Sequence, residues 1–69
     1  MVKKLKVNSR IMSKWQTGKD GYPRIGFLPE GWDGKGTVLI QWDDDGSWEW
    51  DDRTSFIYIP ELRDALKLI

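Results

Sequence analysis

A chain of 69 residues with 11 Lys/Arg balanced by 11 Asp/Glu, no Cys and no His has room for one domain, 1–69, closed around one core. Those absences exclude disulfide staples, the usual zinc sites and every thiolate or imidazole nucleophile or base. Five Trp, two Tyr and two Phe supply the apolar area instead, since each ring buries roughly 150–250 Å².

In chain order, the opening Met-Val-Lys-Lys-Leu-Lys lacks the apolar run of about 7–15 residues that would make it a signal peptide, and no stretch approaches the ~20 apolar residues of a membrane span. A cytoplasmic protein without membrane association is expected. Residues 4–11 alternate so that Leu5, Val7 and Ile11 share one face opposite Lys4 and Lys6, which predicts a first strand. Between Trp15 and Gly36 the density of Gly and Pro predicts one long loop, and its large apolar side chains (Tyr22, Ile25, Phe27, Leu28, Trp32) predict that the loop is structured.

Residues 36–42 carry the clearest strand pattern, with Val38, Ile40 and Trp42 on one face. Asp43-Asp44-Asp45-Gly46 is turn chemistry, and residues 47–50 return with Trp48 and Trp50 on a common face, so a hairpin is predicted. A second acidic turn over residues 51–55 leads to the β-branched and aromatic run 56–59, a further strand bounded by Pro60. Pro60 and Glu61 suit the start of a short helical or 3₁₀ turn. Residues 66–69 are then expected as a last strand that pairs with residues 4–7 and removes two sheet edges. The expected core is Leu5, Val7, Ile11, Val38, Ile40 and Trp42, all buried.

This order of elements resembles the small five-stranded all-β barrels of the Src-homology-3-like class. Within it, GTVLIQWDDDGSWEW resembles the hairpin of Mind bomb-type and KOW or Tudor-like modules through Gly36, Thr37, Val38, Trp42, Asp43 and Gly46. Three Asp stand before the turn glycine where those hairpins usually have one acidic residue. The resemblance implies a scaffold that binds peptides, modified lysines or nucleic acid through loops at one end, and it carries over no catalytic residue.

Charge is segregated along the chain. Residues 1–25 hold Lys3, Lys4, Lys6, Arg10, Lys14, Lys19 and Arg24 against Asp20 alone, whereas residues 26–52 hold Glu30, Asp33, Asp43, Asp44, Asp45, Glu49, Asp51 and Asp52 against Lys35 alone. Basic and acidic strands lying side by side are the favoured account, since opposite charges usually face each other across strands, and a molecule with one basic and one acidic face is the alternative. The carboxylate cluster invites comparison with a hydrolase pair, but so short a chain cannot build both a core and a substrate cleft, and no enzyme is expected. A calcium loop can be aligned on Gln41, Asp43, Asp45, Gly46 and Asp52, yet its first position is not acidic and its flanks read as strands. No metal and no cofactor are expected.

Two binding readings remain. The aromatics outnumber what the core can hold, so Tyr22, Trp32, Trp48 and Trp50, rimmed by Asp43, Asp44 and Asp45, are the candidate site for a basic or proline-containing peptide or protein. The rings could equally cap an undersized core. Alternatively Lys4, Lys6, Arg10 and Lys14, with an exposed Trp15 or Tyr22, would meet nucleic acid, against which the neutral net charge counts.

Overall fold

A computed structural model describes residues 4–60. Five strands, β1 Ser9–Thr17, β2 Pro23–Leu28, β3 Val38–Trp42, β4 Trp48–Asp51 and β5 Phe56–Tyr58, occur with a 3₁₀ turn, Arg53–Ser55, just ahead of β5. They form one antiparallel sheet in the order β4-β3-β2-β1-β5. Four strands follow one another as a meander, and β5 then returns to the outer side of β1. Among the described residues no ladder joins β4 to β5, so the sheet is not a closed barrel. No helix among these residues is long and apolar enough to cross a membrane. The expected strand at residues 66–69 lies outside the described residues.

The inner face of the sheet is the core. Ile11, Leu28, Val38, Ile40, Trp42 and Phe56 are buried there, and Leu5 and Trp32 close it from the loops. Period-two alternation places Val38, Ile40 and Trp42 inward as expected, and Ile11 with them. Val7 does not join them: it is 62% exposed. The chain turns between Lys6 and Ser9, where Asn8 takes φ 67° and the Ser9 N–H donates to the Lys6 carbonyl at 3.1 Å. Asn tolerates that left-handed conformation, the alternation is broken there, and β1 starts at Ser9 rather than at residue 4. Leu5 stays buried because it pairs with Trp32 across an isolated bridge, with N···O distances of 2.9 and 2.8 Å.

The long loop expected over residues 15–36 contains β2, the second correction. Pro23 occupies its first position, where the missing N–H does least harm. Gly26 sits where β2 is flanked on both sides, opposite Ile11 and Trp42, and a Cβ there would come within 2.6 Å of the Gln41 carbonyl oxygen and 2.9 Å of the Trp42 ring. The glycine that looks like a strand breaker is what lets the Trp42 ring approach β2 so closely.

Candidate functional site

The β3–β4 hairpin fixes the central side chains of the site. Its turn holds Gly46 at φ 71°, with the Trp42 N–H donating to the Ser47 carbonyl and the Gly46 N–H donating to the Trp42 carbonyl, both at 2.9 Å. That closure sets the register: Gln41 opposes Trp48, Ile40 opposes Glu49, Leu39 opposes Trp50 and Val38 opposes Asp51. Facing residues share a side of the sheet. Glu49 and Asp51 therefore lie on the inner side with Ile40 and Val38, and Trp48 and Trp50 lie on the outer side with Gln41 and Leu39.

The outer side is apolar in a way the core does not require. Trp48 and Trp50 are 61% and 63% exposed, while Leu39, of the same parity, is buried. Across the sheet from Trp48 run Gln41, Phe27 and Arg10 in register, and Phe27 is half-buried. Beside Trp50 a shallow depression is lined by Glu30, Trp32, Asp33, Lys35 and Leu39. Glu30 and Asp33, which line it, have no cationic partner among the described residues, and neither has Asp51 on the inner side of the strand. This end of the outer face is accordingly aromatic with an acidic border.

The acidic turn is otherwise engaged. Arg10 makes a paired contact with Asp43, Nη1 to Oδ1 at 3.1 Å and a closer one from Nη2 to Oδ2. Arg24 grips Asp44 with Nε and Nη2 at 3.0 and 2.7 Å, reaches Asp45 at 3.1 Å, and donates through Nη1 to Gln16 Oε1 at 2.8 Å. Its guanidinium lies 4.5 Å above the Trp42 ring centroid, a cation–π contact. Gln16 and the Trp42 indole N–H both donate to Glu49 Oε1 at 2.6 Å, so charge and hydrogen bonds run continuously from the turn into the core. Hydrogen bonding to Asp43 and to Asp44 raises the pKa of Arg10 and Arg24 respectively. Asp45 is held below the ordinary carboxylate range, first by hydrogen bonding with Ser47 and secondarily by Arg24.

Of the residues expected to form one groove, the structure brings together Trp48 and Trp50 on the outer face and Asp43, Asp44 and Asp45 at the turn. Tyr22 is exposed on the β1–β2 loop, whose Gly18, Lys19 and Asp20 face the acidic turn across a second depression. Trp32 belongs to the core and donates its indole N–H to the Gly36 carbonyl at 3.3 Å. Of the basic residues, Lys6 and Arg10 border one depression with Val7, Asn8 and Tyr58, Lys4 and Lys14 are exposed away from it, and Arg10 is committed to Asp43. Among the described residues no group of three acidic side chains is placed to hold a metal ion. Leu39, Asp33 and Asp51 were not evident as site residues from composition, although the hairpin register alone puts Leu39 opposite Trp50. No protein-family model, curated protein or solved structure matches this chain.

Proposed function

We propose that this chain is a non-enzymatic protein-interaction module that docks a peptide or protein on the outer face of the β3–β4 hairpin. One observation carries the reading: Trp48 and Trp50 stand side by side on one strand, both more than half exposed, in a chain whose core is already filled by Trp32, Trp42, Phe56 and aliphatics. Exposed large aromatics beside a buried apolar neighbour are the composition of an interface centre, where Trp is enriched. Glu30 and Asp33, which have no cationic partner among the described residues, favour a basic partner. We further infer a Src-homology-3-like scaffold, supported by the return of β5 to β1 and by the 3₁₀ turn just before it. The nucleic-acid reading is the weaker one, because Arg10 is neutralised by Asp43.

The test compares the parent chain with Trp48→Ala and Trp50→Ala as baits in host extract. Each variant should keep its unfolding midpoint and lose roughly 30-fold in affinity for the captured partner, equivalent to a hot-spot loss of about 2 kcal/mol. Capture unchanged in both variants would overturn the reading, and so would retention on a DNA column with a steep salt dependence.

A further inference from the structure

The inference here rests on the docking face just proposed and concerns how a partner is held on it. In β3, the N–H and C=O of Trp42 both point to β4, while the N–H of Asp43 donates to the Ile25 carbonyl of β2 at 3.0 Å. Bonded and non-bonded pairs alternate along an antiparallel ladder. Gln41–Trp48 and Leu39–Trp50 are therefore the non-bonded pairs, and the backbone N–H and C=O of Trp48 and Trp50 point away from β3. Among the described residues no strand lies on that side, since β4 ends the sheet. The two residues with the exposed rings are the same two with open backbone groups.

We propose that β4 accepts an extended segment of a partner as a sixth strand, and that this segment alternates basic with apolar residues. Residues opposite Trp48 and Trp50 would exchange main-chain hydrogen bonds with them and lay apolar side chains on the two rings. Residues opposite Glu49 and Asp51 would share the inner side with those carboxylates, where a Lys or Arg is the complement. A second copy of the chain is a poor occupant. Antiparallel pairing of β4 with itself preserves the side of the sheet, so it sets Glu49 or Asp51 of one copy against Glu49 or Asp51 of the other, a destabilising like-charge contact.

The probe is a capped synthetic peptide of about eight residues alternating Lys and Val, added to the full chain and followed by Trp fluorescence and by amide hydrogen exchange. It should bind and slow exchange at the Trp48 and Trp50 amides roughly tenfold, the Glu–Val counterpart should bind roughly tenfold more weakly, and Asp51→Lys should abolish that preference. N-methylation of the Val residues removes the paired amides and should cost at least about tenfold, whereas N-methylation of the Lys residues, whose amides face solvent, should cost little. Tolerated N-methyl-Val, equal affinity for the Glu–Val peptide, or no peptide binding overturns strand addition. A concentration-dependent dimer that protects the same amides without peptide overturns it as well, in favour of a second copy. The docking face would survive those failures if Trp50→Ala still lost the captured partner, and would fall with them if it did not.

Discussion

Trp42 and Trp50 lie on adjoining strands of one hairpin, and everything around them differs. Trp42 is 2% exposed, backed by Gly26, covered by the Arg24 guanidinium and tied through its indole N–H to Glu49. Trp50 is on the opposite side of the sheet and leaves most of its ring in water. On the inner side no buried side-chain polar atom among the described residues lacks a hydrogen-bond partner, whereas the outer side is apolar and unfinished around Trp48 and Trp50. The lesson is that an aromatic's role in so small a domain follows from strand parity rather than from composition: even offsets from Ile40 along β3 enter the core, and the register carries the two Trp of β4 to the outside.

The strongest way to break this contrast is to truncate the rings in turn. Trp42→Ala removes the largest inner-side ring, opens a cavity beside Gly26 and strips both Arg24 and Glu49 of a partner, and should cost about 3–5 kcal/mol. Net stability of a domain this size is itself only a few kcal/mol, so the variant should be largely unfolded by circular dichroism. Trp48→Ala and Trp50→Ala should each change stability by less than about 1 kcal/mol. Equal destabilisation by Trp42→Ala and Trp50→Ala in urea titrations would show that the outer rings are structural.

Gly26→Ala sharpens the same contrast from the backbone. The added methyl would meet a carbonyl oxygen of β3 at 2.6 Å and the Trp42 ring at 2.9 Å, and neither can move without disturbing the ladder or the core. A cost of about 1–3 kcal/mol is expected, typical of overpacking. Trp fluorescence should shift as Trp42 is lifted from β2. A variant as stable as the parent, with an unshifted spectrum, would mean that Trp42 does not depend on this close approach.

How much of this was legible in the sequence depends on how local the determining interactions are. The β3–β4 hairpin was readable because alternation, turn residues and return strand are contiguous, and one glycine fixes the register. β2 was hidden because Pro23 and Gly26 read as breakers, and only tertiary context, a first strand position and a closely approaching neighbour, turns them into strand residues. Val7 departs from the expected core for a related reason: alternation from Leu5 to Ile11 holds in number but is interrupted by the turn at Asn8. Of the expected groove residues, Trp32 is drawn toward the core by the Leu5 bridge while still lining the depression beside Trp50, and Tyr22 stands on the β1–β2 loop. The ion pairs of Arg10 and Arg24 span 33 and 20–21 residues, a separation at which sequence shows only that charges are segregated, not which ones meet.

The acidic turn gives the smallest effect and the most specific one. Asp45 is held below its ordinary range in the folded chain, so the unfolded chain binds its proton more readily. Its contribution is therefore fully present above the unfolded carboxylate value of about 3.9 and is lost as pH falls below that and through the folded value. Arg24 remains charged throughout, so the change belongs to the carboxylate. The first cause of the shift is hydrogen bonding with Ser47 rather than the charge of Arg24, and added salt should leave most of the effect in place, since screening weakens exposed ion pairs. Urea midpoints measured from about pH 5 downward should fall less steeply in Asp45→Asn than in the parent, at low and at high salt alike. If the two chains titrate identically, the turn is not held by Asp45. If the difference vanishes in high salt, the contact with Arg24 dominates and the turn is tied to the network beneath Trp42 by charge rather than by its own hydrogen bonds.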